Sequence, residues 1–196
     1  MATIFKGAEV NSALNARIAA DVEALKARGV EPKLGIIRVG ERPDDLSYER
    51  TAEKRAEKLG VAVEKIVLPE DVSQAELLGV IKGVNENPLI HGVLLFRPLP
   101  KHLDEDAVCN ALAPEKDIDG ITDLSCAGVF AGKELGFAPC TPSACMEILE
   151  HYGVELRGKK AVVIGRSLVV GKPAAMMLLK RNATVTVCHT RTAGLP

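Results

Sequence analysis

The sequence predicts an α/β protein, with an N-terminal three-layer domain on a parallel sheet and then an incomplete Rossmann-like domain. Apolar runs of strand length alternate with segments of helical periodicity, which calls for parallel strands joined by helices. The turn Gly165-Arg166-Ser167-Leu168-Val169-Val170-Gly171 lies between an apolar run at 160–164 and a helix-like run at 174–179. Strand, glycine turn and helix in that order aim backbone N–H groups at a phosphate. After that start, only strand, helix and strand (160–164, 172–181, 184–188) precede Pro196. A full dinucleotide-binding domain needs more strands, so exposed apolar surface is expected on this unit.

The elements follow in order. Val10, Leu14, Ile18, Val22 and Leu25 recur at helical spacing, and Gly29 ends that helix. Residues 33–39 read as a buried strand and 44–59 as a helix stopped by Gly60. A second strand covers 61–68. Ser73 and Glu76 form a capping-box pattern that opens a helix to about Asn87. Residues 90–96 are a third apolar strand, stopped by Pro98-Leu99-Pro100. A short helix at 104–112 leads into a polar loop at 113–120. Residues 142–152 read as a helix with Pro142 near its N-terminus, where a missing N–H costs little. The division expected is a domain over 1–140 and the start of a second over 141–196.

Bulk properties exclude several function classes. The 196 residues carry a net charge of -1, which leaves no electrostatic footprint for nucleic acid or an anionic membrane. Aromatics make up 3 % and Trp is absent, so base-stacking platforms are scarce. The longest apolar runs fall far short of a membrane span, and the first six residues lack a signal-peptide pattern. Five widely spaced cysteines without a Cys-x-x-Cys predict a reduced, cytoplasmic protein rather than a disulfide framework or metal site.

Four segments carry a resemblance. They are Val39-Gly40 with Tyr48 eight residues after the glycine; Pro98-Leu99-Pro100; 114–120, which ends Asp117-Ile118-Asp119-Gly120; and Pro139-Cys140-Thr141-Pro142 leading to Gly165-Arg166-Ser167. In series they resemble the bifunctional methylenetetrahydrofolate dehydrogenase/methenyltetrahydrofolate cyclohydrolase family along the whole chain. The resemblance implies a folate-binding catalytic domain followed by an NAD(P)-binding domain. It implies oxidation of 5,10-methylenetetrahydrofolate with NADP in one-carbon metabolism, then hydrolysis to 10-formyltetrahydrofolate. It further implies tetrahydrofolate derivatives as partners, and a homodimer. Tyr48 and Asp119 would be the catalytic-site residues, with Tyr48 against the aminobenzoyl part and Asp119 on the pterin. Phe96 and Arg97 would border the same substrate. Gly165, Arg166, Ser167 and Thr190 would hold NADP, Arg166 and Thr190 at its 2′-phosphate. Elementary chemistry agrees: a pterin edge presents N–H donors to a carboxylate, and a phosphate suits an Arg fork.

The chain departs from the family at two positions. The family's Lys four residues after the Tyr is Ala52 here, and its Gln two residues before Pro-Leu-Pro is Phe96. In the family that pair serves the cyclohydrolase step, and neither Ala nor Phe can move a proton. Lys54 lies two residues on, about 200° around the helix, and cannot stand in. Arg55 shares the Tyr48 face, and Arg97 sits beside Phe96, but a guanidinium stays protonated. The expectation is a dehydrogenase whose cyclohydrolase is lost or rebuilt with these arginines. The alternative is a non-catalytic folate-binding or interaction fragment, because the cofactor domain is short.

Overall fold

The computed structural model describes residues 4–194; residues 1–3, part of the segment read above for a signal peptide, and residues 195–196 lie outside them. In chain order the elements are α1 (Gly7–Ala27), β1 (Lys33–Val39), α2 (Pro43–Lys58), β2 (Ala62–Leu68), α3 (Gln74–Glu86) and β3 (Gly92–Leu95). They continue as α4 (Glu105–Ala111), α5 (Asp123–Ala131), α6 (Cys140–His151), β4 (Lys160–Ile164), α7 (Gly171–Lys180) and β5 (Thr184–Cys188). Ser12–Ile118 make one compact unit; the residues up to Asn11 and from Asp119 onward make another.

In the first of these units three parallel strands stand in the order β2-β1-β3. Right-handed crossovers from β1 to β2 and back past β1 to β3 put α2 and α3 on opposite faces. That is the three-layer arrangement. Central β1 is covered on both sides, and Ile36 and Ile37 are fully buried. Leu77 and Ile81 of α3 and Val108 of α4 complete the core. The start of α3 is fixed by a reciprocal cap. The Glu76 N–H donates to Ser73 Oγ at 3.3 Å, and the Ser73 N–H donates to Glu76 Oε2 at 3.0 Å.

The other unit holds a parallel pair, β4 and β5, with α6 and α7 packed beside it. Met146, Leu178 and Ala183 form its buried centre. Along β4 the side chains alternate. Ala161 and Val163 face that core, while Val162 and Ile164 are 63 % and 78 % exposed. The apolar surface expected here is present.

Several boundaries differ from the sequence reading. β3 is assigned to four residues only. Its hydrogen bonds to β1 nonetheless extend from His91 N to Lys33 O and from Phe96 N to Ile37 O. The segment 113–120 is a loop, as the sequence reading has it, but part of it is packed inward. Asp117 is fully buried and bridges to Val93, whose N–H donates to Lys116 O at 2.7 Å. Lys116 Nζ in turn caps the end of α3, donating to Val84 O and Asn87 O at 2.6 and 2.7 Å. α5 has no counterpart in the reading above, although Thr122 caps its N-terminus and Gly132 closes it in the left-handed region. α6 begins at Cys140 rather than Pro142, because proline is tolerated throughout the first turn, where no N–H has an intrahelical acceptor.

Candidate functional site

α2 is the element that builds the first half of the site. Pro43 pre-sets its first turn, and two acidic residues, Asp44 and Asp45, favour that N-terminus. Its rotation is fixed by a buried ion pair. Glu49 Oε2 accepts from Arg38 Nε on β1 at 2.8 Å, with both side chains about 6 % exposed. Arg38 also donates through Nη1 to Gly40 O. Held this way, α2 directs Tyr48 toward Phe96 at the end of β3. Their rings meet edge to face, with centroids 5.5 Å apart and planes at 65°. Phe96 is buried, while Tyr48 is 59 % exposed and presents ring surface outward.

Beside this pair lies a cavity of about 490 Å³ lined by Tyr48, Ala52 and Arg55 of α2, by Lys33 of β1, and by His91 and Ile118. Tyr48, Ala52 and Arg55 share one face, as the sequence register predicts, and Lys54 is exposed and not part of the lining. Arg55 Nη2 donates to Asn15 Oδ1 at 3.0 Å. Arg97 is half-buried with Nη1 3.8 Å from Glu105 Oε1 on α4, and the same carboxylate accepts from Leu99 N at 2.7 Å. Cys109 on α4 is no nucleophile. Burial pushes its thiol up to about 11, with nearby Arg97 opposing and Glu105, Asp106 and Asp117 adding to the rise.

Asp119 is half-buried and opens the second compact unit. The structure thus brings Tyr48 and Phe96 into contact and sets Arg97 next to Phe96 in the chain. Lys33, His91 and Ile118 were not singled out from sequence. The first two stand at strand starts, and only the parallel register Leu34 to Gly92 reveals that these starts are neighbours.

Gly165, Arg166 and Ser167 form one turn at the C-terminal end of β4, leading into α7. Gly165 has φ +129, and its N–H donates to Cys188 O of β5 at 2.8 Å. Gly171 packs directly against this turn; a Cβ there would lie 2.3 Å from Gly165 O. No other residue allows that approach. Ser167 Oγ accepts from Val170 N at 3.1 Å and Gly171 N at 3.3 Å, so it caps the entry to α7. Arg166 is exposed on the turn, and Thr190 is exposed two residues beyond β5. A guanidinium and hydroxyls at the C-terminal edge of parallel strands, beside a helix N-terminus, are a donor set that fits a phosphate-bearing nucleotide. Among the described residues, no group of three or more His, Cys, Asp or Glu is placed to hold a metal ion. No helix among them is long and apolar enough to cross a membrane.

Comparison with known proteins gives two matches along the chain. Residues 5–119 match the tetrahydrofolate dehydrogenase/cyclohydrolase catalytic domain, and residues 139–196 match the NAD(P)-binding domain of the same enzymes. The bifunctional protein FolD of Alkaliphilus oremlandii is 49 % identical over 195 residues, covering 100 % of this chain and 68 % of that protein. A crystal structure of the bifunctional FolD methylenetetrahydrofolate dehydrogenase/cyclohydrolase from Campylobacter jejuni superposes with a TM-score of 0.93 at 36 % identity, over 97 % of this chain and 68 % of that one. A Trypanosoma brucei methylenetetrahydrofolate dehydrogenase-cyclohydrolase, solved with NADP and an inhibitor, gives a TM-score of 0.88 at 34 % identity, over 98 % and 66 %. Matched along both of these domains, the chain belongs to the tetrahydrofolate dehydrogenase/cyclohydrolase family.

Proposed function

We propose that the chain oxidises 5,10-methylenetetrahydrofolate to 5,10-methenyltetrahydrofolate with NADP, within one-carbon metabolism. The observation that carries this reading is Tyr48 set edge-on against Phe96 beside a cavity of about 490 Å³, in a chain of this family. NADP supplies the hydride acceptor. The chain's own residues bind and align, because hydride transfer depends on alignment more than on an acid or base. Tyr48 flanks the aminobenzoyl ring with its exposed face, and buried Phe96 keeps that ring in place. Arg97 adds positive charge at the same edge, and Asp119 accepts from the pterin N–H groups. Arg166 grips the 2′-phosphate together with Thr190, and the Gly165–Ser167 turn shapes the rest of that site. Residues 1–140 are then the folate domain and 141–196 belong to the cofactor domain. The free cysteines suit a cytoplasmic enzyme, and the family resemblance supports a homodimer.

The cyclohydrolase step is the point of departure. Ala52 lines the cavity and Phe96 is buried against Tyr48, so neither position carries a proton. The reading therefore expects a dehydrogenase that releases methenyltetrahydrofolate. The test mixes the purified chain with 5,10-methylenetetrahydrofolate and NADP and follows NADPH and methenyl absorbance together. NADPH should form, and the methenyl product should accumulate and decay at the buffer rate. Folate binding with no NADPH would sink the dehydrogenase reading. Enzymatic loss of the methenyl signal would sink the loss of the cyclohydrolase.

A further inference from the structure

We propose that Arg191 binds the adenine ring of the dinucleotide by stacking its guanidinium on the purine face; this rests on the NADP reading above. The base and the 2′-phosphate hang from neighbouring carbons of one ribose, so the groups that hold that phosphate stand beside the base. The loops after β4 and β5, which carry Arg166 and Thr190, are joined where they begin by the bond from Gly165 N to Cys188 O at 2.8 Å. Arg191 is exposed and follows Thr190 directly, about 3.8 Å further on from Cα to Cα. The turn that carries it is closed by three bonds. Thr192 N donates to His189 O at 2.8 Å, His189 N to Thr192 Oγ1 at 2.9 Å, and Arg191 N to His189 Nδ1 at 3.1 Å. Thr190 and Arg191 are its two corner residues, and little backbone entropy is left for them to lose on binding.

The side chains available at this edge favour the same assignment. A purine gains most from a flat partner, yet no Phe, Tyr or Trp follows Tyr152 in the sequence. The flat side chains of the β4–α7–β5 segment are therefore its arginines and His189. Arg157 and Arg181 precede β4 and β5, so they stand at the opposite, N-terminal edge of this parallel pair. His189 is half-buried, and its Nδ1 is used in closing the turn. Arg166 is taken by the phosphate. Arg191 remains. No Asp or Glu follows Glu155 in the sequence, and among the described residues the Arg191 guanidinium is in no ion pair. A guanidinium is planar and weakly hydrated, so it stacks on an aromatic face where an ammonium does not.

The test is equilibrium binding of NADP and of NAD, by calorimetry, to the full chain and its variants. Arg191→Ala should weaken both ligands by the same factor, about five- to a hundredfold, the range for one stacked base. The preference for NADP over NAD should stay as it is. Arg191→Trp should keep both affinities, because an indole stacks on a purine without carrying a charge. The chain has no Trp of its own, so the fluorescence of that variant reports on position 191 alone. It should be quenched by 2′-AMP as well as by NADP. Loss of NADP affinity alone in Arg191→Ala would put the guanidinium on the 2′-phosphate and overturn the proposal. Unchanged binding in Arg191→Ala would overturn it too, as would equal losses in Arg191→Ala and Arg191→Trp, which would mean a structural role. Each of these three results leaves the NADP reading standing. An original chain that binds neither dinucleotide removes that reading and the proposal together.

Discussion

Glu49 follows Tyr48 directly, and its buried carboxylate is committed to Arg38 at 2.8 Å. Two charges taken out of water are held here by each other and by Gly40 O, while Lys65 approaches Glu49 from the rim at 3.8 Å. Replacing a buried pair by apolar groups is often neutral, whereas removing one partner strands a charge. Glu49→Leu is therefore expected to destabilise the protein by about 3–5 kcal/mol, measured by urea denaturation. The double variant Arg38→Met with Glu49→Leu should recover most of that loss. A single variant as stable as the double would show that Arg38 finds water or another partner. Tyr48, Ala52 and Arg55 were legible because a helical register alone relates them. The ion pair was not, because Glu49 lies in a charged helical run that reads as solvated, and its partner stands 11 residues away on another element.

At the level of elements, α3 shows local sequence and tertiary structure in agreement. The Ser73 hydroxyl, and then its backbone N–H, hold the Glu76 carboxyl below the usual glutamate value. A depressed folded-state value means that this stabilisation is complete above the unfolded value. It is lost as pH falls from about 4.3 through the lower folded value. Hydrogen exchange of the first turn of α3 should accelerate over that window in the original chain. In Glu76→Gln it should not respond to pH there beyond the intrinsic exchange chemistry, and a matching acid response in that variant would remove Glu76 as the cause. The capping box was readable because both its residues sit three apart. α5 carried similar signals in Thr122 and Gly132, but its helix is short and apolar on several sides, so periodicity did not mark it. In the loop at 113–120 it was the burial that left no mark in sequence. Its residues are polar, yet Asp117 is buried by pairing with Val93 across 24 residues of chain.

For the molecule as a whole, alternating strands and helices made both parallel sheets legible, while the chain's path between the units was not. The first described residues belong with the unit that starts at Asp119. Phe5 stacks on Tyr152 at 4.5 Å, and Tyr152 Oη accepts from Lys6 N at 2.8 Å. Contacts separated by 146 residues leave no local mark in sequence. The two proposed ligands have a thermodynamic consequence. A ligand that binds only the folded state at a hundredfold its Kd stabilises by about 2.7 kcal/mol. For a chain of this size that raises Tm by about 5–10 °C. NADP should produce such a shift, and NAD, which lacks the 2′-phosphate, a smaller one at equal concentration. Arg166→Ala should bring the NADP shift down to that of NAD and leave the tetrahydrofolate shift intact, because Tyr48 and Phe96 are untouched. An undiminished NADP shift in Arg166→Ala would assign the 2′-phosphate to another cation. Equal loss of both shifts would mean that the substitution damages the fold around the Gly165 turn rather than one ligand's site.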